Sequence, residues 1–597
     1  MRITKLSLTN FRSFKETQTI EFAPVTLLFG PNSVGKSTVL MALFYLQQIL
    51  DKGQCDPQRI EALGGKLVGG FKNLVHRRAI SESITIKIEY DKGNGVGSSY
   101  DFLADLIGED KLALRLSSPV IDAQIIALEF VISWAGQKQT AFVANYKIWF
   151  DGNEIAEVAS DTGLMQPQIT SLNYLHPSLL PDNHEEWLVE CFDNDVAIHN
   201  ALFDKVLDLK DIPNPDHREI SKGADRPFEG DEEEPLFTNN CFVSEFHELL
   251  NDQRNISNNY ESADNMVVVE GETLIHVPIG IQGLSGALPS TGMKLKSSLS
   301  LGDEQQNEVF VELLSDILVA PLDNLKKLLN DSLCIGPLRE IPDALHQANP
   351  NVEQQEWHNG LAAWDVLAKA DSNLITAVDE WISSSDKLAL GYGLAHKVEK
   401  RYAEIKRLKN SDSFQNAELH LNRLIAEEVT GTESSKVSTP LDETATSFSY
   451  TLYDLNNHIP VTPSDIGVGI SQLMPLVVAA LSRKKGVIAI EQPELHVHPR
   501  VQVAIGDLLT QSGSISNFLI ETHSEHLILR IRKRVRQTTE NELPEGFKPV
   551  GNDDISIVYF EPSSEGVIAR RIKLDEDGEF TSKWPQGFFS ERRGEYL

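Results

Sequence analysis

The stretch Val25-Thr26-Leu27-Leu28-Phe29-Gly30-Pro31-Asn32-Ser33-Val34-Gly35-Lys36-Ser37-Thr38 decides how the chain is read. Its first five residues form a short apolar run, the pattern of a strand buried on both faces. The next eight match G-x-x-x-x-G-K-[ST], and "KSTVLMALFYLQQIL" continues as a helix. In that setting Gly30 and Gly35 let the backbone wrap a phosphate chain and helix-start amides face the anion. Lys36 reaches the outer phosphates and Ser37 offers a hydroxyl to Mg²⁺. The turn Gly30, Pro31, Asn32, Ser33, Val34, Gly35, Lys36, Ser37 and Thr38 is therefore the candidate site for ATP. A glycine-rich turn that caps a helix by chance is the competing reading, and the flanking strand and helix weigh against it.

Outward from this turn, composition sets the bounds. With 597 residues the chain exceeds what one hydrophobic core usually supports, so several domains, or one domain with large insertions, are expected. Apolar runs such as "LMPLVVAAL" are too short to span a bilayer. The N-terminal "MRITKLSLTNFRSF" alternates like a strand and lacks the apolar core of a signal peptide. A cytoplasmic chain with no membrane association is expected. Cys55, Cys191, Cys241 and Cys334 are scattered without zinc-site spacing and read as reduced thiols. A net charge of −33 argues against a protein coated in nucleic acid, so any such contact must be local. "RIRKRVR" at 530–536 and "KVEKRYAEIKRLK" at 397–409 are the candidate patches, with a solvated helix face the alternative for each.

Along the chain, residues 1–100 read as an N-terminal α/β lobe and residues 101–325 as a large α+β insertion with short strands and acidic loops such as "GADRPFEGDEEEPLF". Residues 326–345 return a strand to the first lobe. Residues 346–440 read as a helical insertion, "NAELHLNRLIAEEV" its clearest segment, and 441–597 as a C-terminal α/β lobe. "TSFSYTLYDLNNHIPVTP" has the form of a hairpin turning at "LNNH".

Three further motifs follow in the last lobe. The apolar strand "GVIAIE" ends in Glu491, an acid placed to hold Mg²⁺. The strand of "LIETHSEH" runs out into Thr522-His523-Ser524, where His523 could reach a γ-phosphate. "DIGVGISQLMP" supplies a flexible turn at Gly467 and Gly469, with Ser471 able to cap the next helix. A strand-end acid, a structural histidine and an ordinary cap are the bland readings. The order of the motifs after the first turn favours a nucleotide site.

"LTNFRSF", "GPNSVGKST", "GPLRE", "GVGISQLMP", "EQPELHVHP", "ETHSEHL" and "WPQGFF" together resemble the ABC-type ATPase heads of the SMC and recombination-repair class. Within that class they resemble stand-alone "AAA family" ATPases related to the overcoming-lysogenization-defect proteins. The resemblance covers residues 1–90 and 330–597. It implies an ABC-type P-loop head of α/β class, with a mixed sheet, a helical lobe and a large α+β insertion. It further implies that Arg12 lies near the nucleotide, that Glu491 is the Mg²⁺-site acid and that His523 is the switch histidine. The turn carrying Gly467, Gly469, Ser471 and Gln472 would bind the γ-phosphate held by a second protomer. The working unit would then be a head-to-tail homodimer around two ATP, or a higher oligomer, with Leu495–Pro499 at its interface.

Two departures shape the functional expectation. The nucleases of that family continue into a Toprim domain, whereas the residues after His523 here show no series of strand-end acids, and "RIKLDEDGEF" reads as a polar turn. Gln492 stands where the family usually has a catalytic Glu. Gln cannot accept the proton of the attacking water, although it can orient that water, and Glu494 is the candidate deputy. The expectation is a slowly hydrolysing ATPase that acts as sensor or scaffold for a partner effector, a nuclease, in antiviral defence resembling Septu. The alternatives are a DNA-repair or recombination ATPase that clamps DNA ends, and a self-contained nuclease with a metal site within 100–325.

Overall fold

The computed structural model describes residues 1–93 except 33, 123–161, 167–173, 279–297, 311–343 except 313, 351–400, 446–482, 486–513 and 517–584, with isolated positions between them. Two sheets organise it. β1 (Arg2–Thr9) and β2 (Gln18–Glu21) pair antiparallel, after which β3 (Val25–Phe29) leaves for the second sheet and runs into α1 (Lys36–Lys52). A small ladder of β4 (Arg59–Ile60) with β5 (Lys66–Leu67), and the short α2 (Phe71–Leu74), lead to β6 (Ile84–Asp91) on the other edge of β1. β7 (Ile125–Ala135), β8 (Thr140–Phe150), β9 (Asn153–Ala159), β10 (Gln168–Leu172) and β11 (Ile279–Gly280) extend that sheet as an antiparallel meander. In β6 every second residue of "ITIKIEYD" is buried, the alternation of a sheet with one face on a core.

The boundary drawn at residue 100 therefore falls inside one sheet. β7 pairs with β6 from Ile84↔Ile132 to Asp91↔Ile125, so residues 125–172 enlarge the N-terminal lobe. The connection between the two strands hid this, because pairing is non-local and leaves no trace in local composition.

The chain then forms the small pair β12 (Gly283–Ser285) with β13 (Leu288–Pro289), followed by α3 (Ala320–Asn330), β14 (Leu333–Ile335), α4 (Leu361–Ala368) and α5 (Ser372–Ser383). β15 (Tyr392–Lys400), β16 (Thr446–Asp454) and β17 (Ile459–Val461) make a three-stranded antiparallel sheet, which contains the expected hairpin. Its presence corrects the helical reading of 346–440: Tyr392–Lys400 are extended and matched residue for residue with β16, a partner too distant for helical periodicity to register. "NAELHLNRLIAEEV" and the acidic "GADRPFEGDEEEPLF" lie outside the described residues.

α6 (Val468–Leu481), β18 (Val487–Glu491), α7 (Pro499–Ser512), β19 (Asn517–Glu521), α8 (Glu525–Thr539), β20 (Ile555–Ser563) and β21 (Gly566–Ile572) complete the described chain. The second sheet has the order β14-β18-β19-β3-β20-β21 and is parallel except for the last strand. Its inner strands β3, β18 and β19 are buried along their whole length, which is why "VTLLF" and "VIAI" read as near-continuous apolar runs. Leu28, Val487, Ala489 and Leu519 face α1, α3 and the antiparallel sheet, while Leu27, Ile488, Ile490, Phe518 and Ile520 face α4, α6, α7 and α8. The α/β class expected from sequence is the fold observed, with the P-loop strand in the interior of the parallel sheet. Among the described residues no helix is long and apolar enough to cross a membrane.

Candidate nucleotide site

Parallel strands point their carboxyl ends the same way, so the turns after β3, β18 and β19 meet at one edge of the sheet. The turn after β3 is stiffened from outside. Gly35, at φ +114°, carries no Cβ, and a Cβ there would lie 2.2 Å from Ser13 Oγ in the loop after β1. Lys36 is buried and donates to the carbonyls of Gly30 (3.0 Å) and Pro31 (2.9 Å), while Pro31 and Asn32 are exposed. Val34 and Thr38 are buried, and Ser33 lies outside the described residues.

The acid nearest to this turn is Glu521, at the tip of β19. Its Oε2 accepts a hydrogen bond from Ser37 Oγ (2.6 Å), and its Oε1 lies 3.8 Å from Lys36 Nζ. Glu521 is register partner of Glu491 across β18 and β19, so two carboxylates stand side by side on the face toward α1. Ser37 and Glu491, the two expected Mg²⁺ ligands, thus have a third candidate beside them in Glu521, one strand closer to the turn. The signal that marks Glu491, an apolar strand ending in an acid, is present for Glu521 as well, since "NFLIE" has the form of "VIAIE".

Glu491 is mostly buried, and its carboxylate makes no hydrogen bond among the described residues. Burial raises its pKa, the neighbouring Glu521 adds to that, and Lys66 and Arg339 oppose it. Burial also pulls the Lys36 pKa down, against the attraction of Glu521 and Glu494. The pKa of His523 is lowered by burial and then by the charge of Lys36, and its Nε2 is buried with no hydrogen-bond partner. A neutral imidazole with an unmet nitrogen next to the P-loop lysine is suited to an incoming polar group.

Gln492 sits at φ +48°, a left-handed conformation that costs a non-glycine residue energy, and its amide donates to Glu521 O (2.8 Å). Glu494, the candidate deputy base, is tied to the histidine loop. Its Oε2 accepts from Thr522 Oγ1 (2.8 Å) and its Oε1 from His523 N (2.7 Å), so both oxygens are used to hold the histidine loop. Burial raises its pKa, partly offset by those bonds.

The turn before α6 also differs from expectation. Gly467 caps the helix, and Ser471 lies inside it with its hydroxyl on Pro463 O (3.1 Å). Gln472 is buried, accepts from Arg339 N (3.0 Å) and donates back to Arg339 O. Both side chains hydrogen-bond within the same chain. Gly467 and Val468 are exposed, and Gly469 packs on the loop of Leu495–Pro499, where a Cβ would meet His496 O at 2.4 Å. Arg339 joins the pieces: Nε donates to Gly336 O (3.0 Å), Nη1 to Gln472 O (2.8 Å) and Nη2 to Glu491 O (3.1 Å). "GPLRE" contains it, but nothing in that motif alone gives it this role.

Arg12 is exposed at φ +52°, with Nη1 on Met41 Sδ (2.6 Å), one helical turn along α1 from Ser37. The basic stretch 530–536 is spent on packing. Arg530 and Arg534 bind Asp507 on α7, and Arg532 and Arg536 bind Glu579. Of 397–409, only residues 397–400 are described, as strand. In "RIKLDEDGEF" the acids form a turn in which Asp575 Oδ1 accepts from Asp577 N and Glu579 N.

Two family models match the chain. One is described as "AAA ATPase domain" and covers residues 1–175; the other is described as "AAA domain, putative AbiEii toxin, Type IV TA system" and covers residues 299–530. The first matched region contains the P-loop and the second contains Glu491 and His523, so both sides of the site fall within regions similar to AAA-type ATPase domains. The DNA replication and repair protein RecF of Desulforamulus reducens is 47% identical over 45 residues, 8% of this chain and 12% of that protein. The match thus spans a small part of the curated relative's length. Among solved structures, an Smc head bound to the C-terminal winged-helix domain of ScpA aligns over 96% of this chain and 99% of its own, at 9% identity and TM-score 0.35. The SMC head domain from Thermotoga maritima aligns over 96% and 100%, at 8% identity and TM-score 0.32.

Proposed function

We propose that this AAA-type ATPase binds ATP with Mg²⁺ at the edge of its parallel sheet, hydrolyses it slowly and uses the bound state to control a partner effector. The carrying observation is the convergence of buried Lys36, the Ser37–Glu521 pair and the unmet Nε2 of His523 on one turn. ATP supplies the scissile phosphate, and Mg²⁺ neutralises charge on it. Lys36 and the turn amides would hold the phosphates, and Ser37 with Glu521 and Glu491 would hold the ion. Glu494 positions His523. Gln492 can orient a water and cannot take its proton, which favours a long-lived ATP state.

A head-to-tail dimer belongs to this reading, with the exposed Gly467 and Val468 offering helix-start amides to the nucleotide of the other protomer, or with larger assemblies built on that pair. So do action in the cytoplasm and a separate nuclease as effector in antiviral defence. The toxin–antitoxin description of the second family model supports a defence role. Turnover by the purified protein tests the slow step: Gln492→Glu is expected to raise kcat at least about tenfold, the usual worth of a general base being more. Equal rates in the two proteins would remove the argument from Gln492.

A second reading, an ATPase that clamps DNA ends, is favoured by the RecF match. It requires a DNA affinity in the ATP state that falls with salt.

A further inference from the structure

On the side of Glu491 away from Ser37 lie two donors, Cys334 and His358, that the nucleotide reading does not use. The structure assigns a second metal site, for a borderline divalent ion such as Zn²⁺, to Cys334, His358 and Glu491. One ligand atom from each, a thiol sulfur, an imidazole nitrogen and a carboxylate oxygen, lies within 4.8 Å of the other two. S, N and O donors in one small space suit Zn²⁺, whose catalytic sites commonly have three protein ligands and an open fourth position.

Three features make this a built arrangement. Cys334 is fully buried on β14, and because parallel register matches it to Ala489, its side chain lies on the same face as Glu491 two residues on. His358 is wedged between two glycines. A Cβ on Gly64 would meet its Nδ1 at 2.6 Å, and one on Gly336 would meet its Cε1 at 2.7 Å, so neither position tolerates a side chain while the ring stays in place. None of the three donor groups makes a hydrogen bond among the described residues, so none has to break one to take an ion. Lys66, whose charge acts on all three, is the cation that a bound ion must outcompete.

On binding, Cys334 releases its thiol proton to solvent and coordinates as thiolate, His358 coordinates through a neutral ring nitrogen, and Glu491 through its carboxylate. Occupation of this site would draw Glu491 away from Mg²⁺ and slow ATP turnover, a consequence that rests on the proposed function, whereas the site itself does not.

Co²⁺ is the probe, because thiolate ligation gives it an intense near-ultraviolet charge-transfer band that oxygen ligation lacks. Titrated into the full-length protein, Co²⁺ is expected to produce that band with one equivalent, and Zn²⁺ to abolish it. Cys334→Ser should remove the band. A Cys55/Cys191/Cys241→Ser variant should keep it. His358→Ala, at a half-buried position, should retain the fold by circular dichroism and weaken Co²⁺ binding more than about tenfold. Absence of the band in the unmodified protein, or its survival in Cys334→Ser, overturns the site. A Cys334-dependent band with ATP turnover unaffected by Zn²⁺ would uphold the site and count against Glu491 as the Mg²⁺ acid.

Discussion

At the scale of the residue, Arg339 carries more of the site's shape than any side chain identified from motifs. Its guanidinium satisfies backbone carbonyls at the end of β14, in α6 and at the tip of β18, and burial brings its pKa down to about 10 while leaving it charged at neutral pH. Arg339→Ala would leave those three buried carbonyls without their donor, at an expected cost of about 2–4 kcal/mol in urea unfolding. The loss should appear as a lower midpoint with an unchanged slope. Gly35 makes a complementary case. Gly35→Ala places a methyl against Ser13 Oγ in a backbone conformation alanine avoids, so ATP affinity should fall sharply by calorimetry. Adding Ser13→Gly should restore only part of it, since the strained φ remains.

At the scale of the element, the strongest link is between α7 and α8. Arg534 and Asp507 are both buried, with Nε to Oδ1 at 2.6 Å and Nη2 to Oδ2 at 3.0 Å, and Arg530 adds a third bond to the same carboxylate. Asp507→Ala strands a buried guanidinium and should destabilise the protein by about 3–5 kcal/mol. The exposed pairs of Arg532 and Arg536 with Glu579 are weaker by nature, and Glu579→Ala should change stability by less than about 1 kcal/mol. Chemical denaturation of the two variants side by side checks the contrast. It also bears on the basic stretch of α8: arginines committed to intramolecular carboxylates have little left for phosphate.

At the scale of the whole molecule, burial leaves three histidines among the described residues less basic than usual: His176 beside Phe150 of β8, His358 between its glycines, and His523, where Lys36 adds to the effect. Each binds fewer protons folded than unfolded. Their contribution is thus fully present above the ordinary value of 6.5 and is lost as pH falls through the folded values. Stability should decline on acidification below about pH 6.5. His176→Gln, distant from the nucleotide site, should flatten that decline when unfolding is followed at several pH values. The raised pKa values of Glu491 and Glu494 act with the opposite sign, lost as pH rises through their folded values, so the comparison of variants isolates the histidine part.

The sequence by itself determined the P-loop, the buried strands on either side of it and the existence of a nucleotide edge, because each is written in consecutive residues: an apolar run, a glycine pair, an acid at a strand end. It identified Glu491 and His523 as candidates for the same reason. What only the tertiary structure decided is which groups meet there. Ser37 bonds Glu521 because β19, not β18, is the neighbour of β3, and strand order is not encoded locally. Glu494 holds the loop after β19 and Gln472 holds Arg339 after β14, contacts that no local pattern announces because the partners lie far away along the chain. The extension of the N-terminal sheet past residue 100 and the strand at Tyr392–Lys400 have the same origin. Pairing between distant strands is rewarded only after loop closure, so local pattern shows which segments can pair and folding alone fixes with whom.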